Sequence, residues 1–440
     1  MATSDPAPVL SLPARIQHTW SLARSSDFAR KVVETYFTRV AIMGLALVTT
    51  VVVSRLLGPR GRGFYAVALA TGTLGVQFAN LGLHTSNIYY GARDPHSLPQ
   101  LTGNSLALSF GFGGVVAAAV GAFLTLRPSL IDLHGSTLWL ALLWIPFGLA
   151  YLLLQNLMIG AHDVRGYNVI ELANRVLTLL MVGVFFVVGW VTVPSMFGAS
   201  VLALIVALFW TWIRLRRQFA ESIRTSWDTL RSSIHYAAKA YLAGFFCFLV
   251  LRADLFMVQH MLGPEQAGYY SIASTMADYV SMAAAVIALV LFPKLSALTD
   301  VAAKLRLMRR AAWVTTGVLT PLLVTSSLLA RPAVRLLFGA AFLPASSAFI
   351  LLAPGMLFLS IHSVTVQFLN SIGYPRIVVI IWGLCSFLNI AVNLWAIPRF
   401  GISGASVVSS VCYFLAFFFV LQVIRQTARR LAISRAEVAV

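Results

Sequence analysis

The stretch Leu57-Gly58-Pro59-Arg60-Gly61-Arg62-Gly63-Phe64-Tyr65 returns 205 residues later as Leu262-Gly263-Pro264-Glu265-Gln266-Ala267-Gly268-Tyr269-Tyr270. Leu, Gly, Pro, the later Gly and the final Tyr keep register. Each copy follows a long apolar run and precedes another, so each predicts a tight turn outside a membrane joining two hydrophobic helices. Proline and glycine interrupt the helices there, and the aromatic pair suits the membrane interface. A second echo, Gly198-Ala199-Ser200-Val201 against Gly404-Ala405-Ser406-Val407, has nearly the same offset. Together they predict an internal duplication.

Composition points the same way. Of 440 residues 59% are hydrophobic and only 10% charged, with a mean hydropathy of +0.85. Apolar stretches of about 20 residues recur, each long enough to cross the roughly 30 Å hydrocarbon core as a helix. Twelve spans are expected. Those of the first half are residues 36–57, 64–90, 104–126, 137–160, 168–190 and 194–213; those of the second are 236–262, 267–293, 311–329, 346–369, 377–397 and 401–424. Residues 333–344 are the least regular stretch, with Phe338 to Phe342 suggesting a short interfacial segment.

The net charge of +18 marks topology rather than nucleic acid. Most Lys and Arg fall in loops on the side of both termini, whereas the opposite side holds Arg60, Arg62, Arg127, Arg331, Arg335 and Arg399. The positive-inside rule then puts both termini in the cytoplasm. The expected organisation is a basic cytoplasmic segment at 1–35, a six-helix lobe at 36–213, a cytoplasmic linker at 214–235, a second lobe at 236–424 and a cytoplasmic tail at 425–440. Residues 1–13 are expected to be disordered, and 15–37 to form a basic helix on the membrane surface; no cleaved signal peptide is apparent. Because six is even, the halves share one orientation about an axis along the membrane normal.

Charges inside the spans are the functional candidates, because a midplane charge costs on the order of 2.5–3.5 kcal/mol and normally faces water or a partner. They are Arg39, Arg55, Arg175, Lys239 and Arg252, with Glu171, Asp254 and Asp278 as acids. Arg252 and Asp278 lie at matching depth, about 15 Å from the Gly263 turn on successive helices, and are expected to pair. Asp254 is two residues from Arg252 and faces elsewhere. A packing role for the Arg-Asp pair, snorkelling of Arg39 and Lys239, and a headgroup position for Arg55 are the structural alternatives. Glu171 and Arg175 have the spacing of a local ion pair.

Polar stripes at helical spacing add Gln77, Asn80, His84 and Asn87 on the second span. The eighth has Ser271, Ser274, Asp278 and Ser281, the tenth Ser360, Ser363, Gln367 and Asn370, and the eleventh Ser386, Asn389 and Asn393. Such residues either line a hydrated path between the lobes or hold helices together. Cys247, Cys385 and Cys412 lie singly in apolar runs, as packing residues do. No phosphate-binding loop, metal-ligand spacing or pair of outer carboxylates is present, so no cofactor or catalytic group is expected.

Ser54-Arg55-Leu56-Leu57-Gly58-Pro59, then Gly63-Phe64-Tyr65-Ala66 and Asn80-Leu81-Gly82-Leu83, resemble the polysaccharide and O-antigen flippases of the multidrug/oligosaccharidyl-lipid/polysaccharide exporter superfamily. So do the second-half copy of the turn and Phe292-Pro293-Lys294-Leu295-Ser296. The resemblance covers about residues 36–424. It implies an all-α membrane protein whose two six-helix bundles form a V around a cationic cavity. It also implies a bacterial cytoplasmic-membrane flippase that moves an undecaprenyl-pyrophosphate-linked oligosaccharide to the outer leaflet. Polymerase and glycosyltransferase partners belong to that picture. Arg252, then Arg39 and Arg55, would meet the pyrophosphate, with Lys239 and Arg175 adding positive charge, and Asp254 or Asp278 would couple H⁺ or Na⁺. The alternatives are a drug or cation antiporter, a lipid II flippase, a membrane polymerase and an assembly scaffold.

Overall fold

The computed structural model describes the backbone of residues 13–128, 131–373 and 376–438, with side chains from residue 38 to residue 430 except 239, 240 and 289 within those stretches. Helices make up the fold, and the described residues contain no strand. In chain order they are α1 (Pro13–Ala79), α2 (Leu83–Arg93), α3 (Leu98–Ala107), α4 (Gly113–Leu126), α5 (Gly135–Gly160), α6 (Val164–Val187) and α7 (Val193–Arg216). The second half has α8 (Trp227–Leu262), α9 (Pro264–Ala297), α10 (Val301–Leu328), α11 (Ala330–Leu337), α12 (Pro344–Asn370) and α13 (Arg376–Val438).

Among the described residues, ten helices are long and apolar enough to cross a membrane. The two longest, α1 and α13, each bend at a glycine with non-helical dihedrals, Gly58 (φ 65°) and Gly401 (φ 61°). Each therefore has the length for two crossings, and the set accommodates twelve. Alternate crossings leave Gly58, Gly263 and Gly401 on one side, here called the turn side, and the described ends of the chain on the other, the termini side.

The repeated motif has a local cause. Gly58 and Gly263 (φ 89°) occupy left-handed backbone that a side chain disfavours. Pro59 and Pro264 then open the next helical segment, where their missing N–H costs nothing.

Helices α1–α7 pack among themselves, as do α8–α13, giving two bundles. Buried Phe197, Leu149 and Leu153 belong to the first, and Phe349, Phe368 and Val420 to the second. The bundles meet where α1 faces α9 and α2 faces α8. The irregular stretch before Pro344 forms α11 and a short 3-10 turn at Ala340–Phe342. Cys385 and Cys412 are buried and Cys247 is partly buried; none is in a disulfide.

One span departs from expectation. The second crossing stops at Ala79 and restarts at Leu83, with Leu81 (φ 49°) and Gly82 (φ 82°) left-handed between. The break would leave the Phe78 carbonyl without its helical N–H partner, and the Tyr241 hydroxyl of α8 donates to it at 2.9 Å. There is no room for a longer residue than glycine at position 82, because a Cβ would come 2.7 Å from that of Ala237. A π-helical turn at Leu108–Phe112 similarly interrupts the third crossing, between α3 and α4.

Candidate site between the two bundles

The two turns are in contact. A Cβ on Gly63 would fall 1.7 Å from the Pro264 carbonyl oxygen, and one on Gly268 2.0 Å from that of Pro59. The duplicated motif thus packs against its own copy, glycine to glycine, on the turn side. Two arginines brace this contact. Arg62 is only 6% exposed, lies over the Tyr65 ring and donates to Ser271 Oγ at 3.3 Å. Arg55 reaches across from α1 to the end of α11, donating to the Leu337 carbonyl at 2.7 Å and to the Leu336 carbonyl. Those carbonyls lie at a helix C-terminus, where cations are favoured. Arg55 is therefore a link between bundles rather than a headgroup contact.

Below the turns, Arg252 of α8 donates to Asp278 of α9 at 2.8 Å. Their side chains stay 33% and 40% exposed despite lying near mid-span. Burying an ion pair completely is expensive, and this pair is only partly buried. Tyr279, next to Asp278, lies within hydrogen-bonding reach of Thr50 on α1 and within electrostatic reach of Arg175 and Arg62. Through Tyr279, α9 meets the first bundle one residue away from the ion pair. Arg175 pairs with Glu171 at 3.0 Å, as the spacing predicts, and remains 44% exposed. Glu171 is anchored by the Tyr151 hydroxyl and Gln155, so the local pair presents its cation outward.

Asp254 is built differently. It is 2% exposed and accepts from the Tyr270 hydroxyl, from Ser409 Oγ at 2.9 Å and from the Leu255 N–H at 2.8 Å. Ser409 also meets Asn389 at 3.3 Å, and Asn389 meets Asn393 at 3.2 Å. These polar groups bond one another inside the second bundle, with the Asn393 Oδ1 left without a partner among the described residues. Neither Asp254 nor Asn389 lines an inter-bundle path, because every strong partner they have is another buried side chain or backbone group of that bundle.

The second-span stripe also needs correction. Its regular spacing assumed one continuous helix, and the break at Leu81-Gly82 divides it. Asn80 is buried and bonded to His84 at 2.6 Å. Asn87 is buried against Ser105 and the Leu153 carbonyl. Gln77 is half-buried just before the break. On α12, Asn370 bonds Gln367 at 3.0 Å, and Gln367 bonds the Ser363 carbonyl at 3.1 Å, a local chain at the termini end of the helix. Arg39 lies apart from the central zone, donating to the Tyr167 hydroxyl at 3.0 Å and lying over its ring. The side chain of Lys239 lies outside the described residues.

Sequence reasoning passed over Arg62, Tyr279 and Lys304. Arg62 counted as a loop cation, although its place between the motif's glycines is where the copies touch. Tyr279 carries no charge pattern, but it follows Asp278 directly. Lys304 counted as a basic loop residue and is 7% exposed, donating toward Ser371.

Two helical bundles that meet at a duplicated turn, with an Arg–Asp ion pair near mid-span, define a two-bundle, all-α membrane fold. Comparison with known proteins agrees. An inward-facing multidrug resistance MATE family transporter of the MOP superfamily superposes with a TM-score of 0.71 at 16% identity, over 88% of this chain and 94% of that one. The lipid II flippase MurJ in an inward closed conformation gives 0.68 at 14% identity, over 89% and 87%. At such identities the likeness is one of fold. The chain belongs to the polysaccharide biosynthesis protein family, whose sequence model matches residues 52–347. An uncharacterized membrane protein of Methanocaldococcus jannaschii is 29% identical over 156 residues, which is 35% of this chain and 31% of that relative's length.

Proposed function

We propose that this chain is a flippase that carries an undecaprenyl-pyrophosphate-linked oligosaccharide across the bacterial cytoplasmic membrane by alternating access. Its termini would lie in the cytoplasm and its turn side outside. The observation that carries this reading is the partly exposed Arg252–Asp278 pair near mid-span, one residue along α9 from Tyr279, which reaches the opposite bundle. A pyrophosphate needs a cation to leave water, whereas a prenyl tail can stay in lipid. Arg252 supplies that cation when the incoming phosphate displaces Asp278, and Arg175 adds positive charge from the other side.

Asp278 is the better coupling group than Asp254. A proton or Na⁺ on Asp278 would release Arg252 to the substrate, and the carboxylate would reclaim it afterwards. Asp254, only 2% exposed, has little surface through which to exchange an ion. The packed turn side supports a resting form closed to the outside. The Gly82 break, capped by Tyr241, supplies a pivot between the bundles.

Replacing Arg252 with Ala should abolish polymer export at unchanged protein abundance, with lipid-linked oligosaccharide accumulating on the inner leaflet. Full export by that variant would refute the assignment. Partner polymerases and glycosyltransferases would follow from this role.

A further inference from the structure

On the termini side a hollow of about 550 Å³ opens between α10 and residues 421–429 of α13. Arg309 comes from α10, and Arg425 and Arg429 from α13; Leu305, Met308 and Ile424 form much of the remaining wall. The lining contains no acidic side chain. Arg425 and Arg429 are four residues apart and so share a helix face, as Leu305 and Arg309 do. All three arginines are exposed, while Met308 and Ile424 are buried. The hollow therefore sets guanidinium groups beside an apolar floor, at the level where the apolar core of α10 gives way to its charged first turns.

We infer that this hollow binds the phosphodiester headgroup of an anionic membrane phospholipid. Three guanidinium groups, unpaired among the described residues, offer forked donors to phosphate oxygens, and the floor accommodates the upper acyl chain. A free phosphate would satisfy the arginines but leave the apolar wall unused, so the observations favour the lipid.

The test uses the purified full-length protein in zwitterionic nanodiscs, titrated with phosphatidylglycerol and followed by native mass spectrometry. Each arginine near a membrane surface is worth about 1 kcal/mol, roughly a fivefold change in affinity. The triple variant Arg309→Gln/Arg425→Gln/Arg429→Gln should then bind on the order of 100-fold more weakly. Arg425→Gln alone should lose roughly fivefold. A control triple of exposed arginines on the same side, Arg217→Gln/Arg231→Gln/Arg376→Gln, should retain the tight site. Equal loss in the control, or none in the triple variant, would overturn the proposal. Displacement of the lipid by equimolar inorganic phosphate would assign the site to a soluble anion and overturn it as well.

Discussion

Gly63 and Gly268, matching positions of the duplicated turn, stand so close that neither has room for a Cβ. The nearest atom in each case is a backbone carbonyl oxygen of the opposite turn, at 1.7 and 2.0 Å from the ideal Cβ position. Backbone cannot swing aside as a flexible side chain can. The repeat seen in the sequence therefore encodes the place where the bundles touch.

Alanine at either glycine should force the turns apart. The closed arrangement should lose at least ~3 kcal/mol, the upper range of single substitutions, shifting its population on the order of 100-fold. In a background lacking the three native cysteines, Ala267→Cys reports on this, because position 267, next to Gly268, is buried in the closed form. A membrane-impermeant thiol reagent should label it much faster when Gly268→Ala is added, and an unchanged rate would mean that the contact does not hold the turn side shut.

The break in the second crossing makes a separate prediction. Gly82→Ala places a side chain on left-handed backbone, costing about 1–2 kcal/mol before its clash with Ala237. Tyr241→Phe removes the donor to the Phe78 carbonyl and should cost about 1 kcal/mol. Both should lower the melting temperature in detergent, Gly82→Ala the more. A melting curve unaffected by Gly82→Ala would show that the break does not need glycine.

The two acids of the second bundle should separate cleanly. Asp254→Ala strands the Tyr270 and Ser409 hydroxyls in a buried network, so folded yield should fall, by about 3 kcal/mol in stability. Asp278→Asn touches a half-exposed group and should leave yield intact while stopping transport. Normal yield with Asp254→Ala, or normal transport with Asp278→Asn, would reverse the division of roles.

A pH effect follows from Asp163, the N-cap residue of α6 just outside the span. The Arg214 guanidinium, bonded at 2.5 and 3.0 Å, and then the Gly166 N–H, hold its carboxyl below the usual carboxylate range. A depressed folded pKa contributes stability that is complete above the unfolded value of about 3.9 and is lost as pH falls through the folded one. Arg214 is 42% exposed, so screening limits the contribution to about 1 kcal/mol. Asp163→Asn should therefore melt lower than the parent at pH 7, and the gap should close below about pH 4. A gap that widened on acidification would contradict the sign.

Much of this architecture could be read in advance because membrane helices write themselves in apolar length, and the doubled turn exposed the symmetry. The Arg252–Asp278 pairing was legible from depth alone, since both count a similar distance from Gly263. The break at Leu81-Gly82 was not, because Gln77, Asn80, His84 and Asn87 keep helical spacing straight through it and only tertiary packing against Ala237 and Tyr241 makes glycine necessary there. Periodicity also said nothing of which way a polar face turns. Asn87 and Asn389 keep helical spacing, yet each is spent on bonds within its own bundle.

The central claim is that the Arg252 guanidinium meets an anionic lipid headgroup in a chamber between the bundles. Purified protein reconstituted into liposomes with a fluorescent prenyl-pyrophosphate oligosaccharide gives the most direct reading, as the fraction of label moved between leaflets. The account predicts movement by the parent, none by Arg252→Ala, and partial recovery with Arg252→Lys. Undiminished movement by Arg252→Ala, in protein shown to be folded, would contradict it.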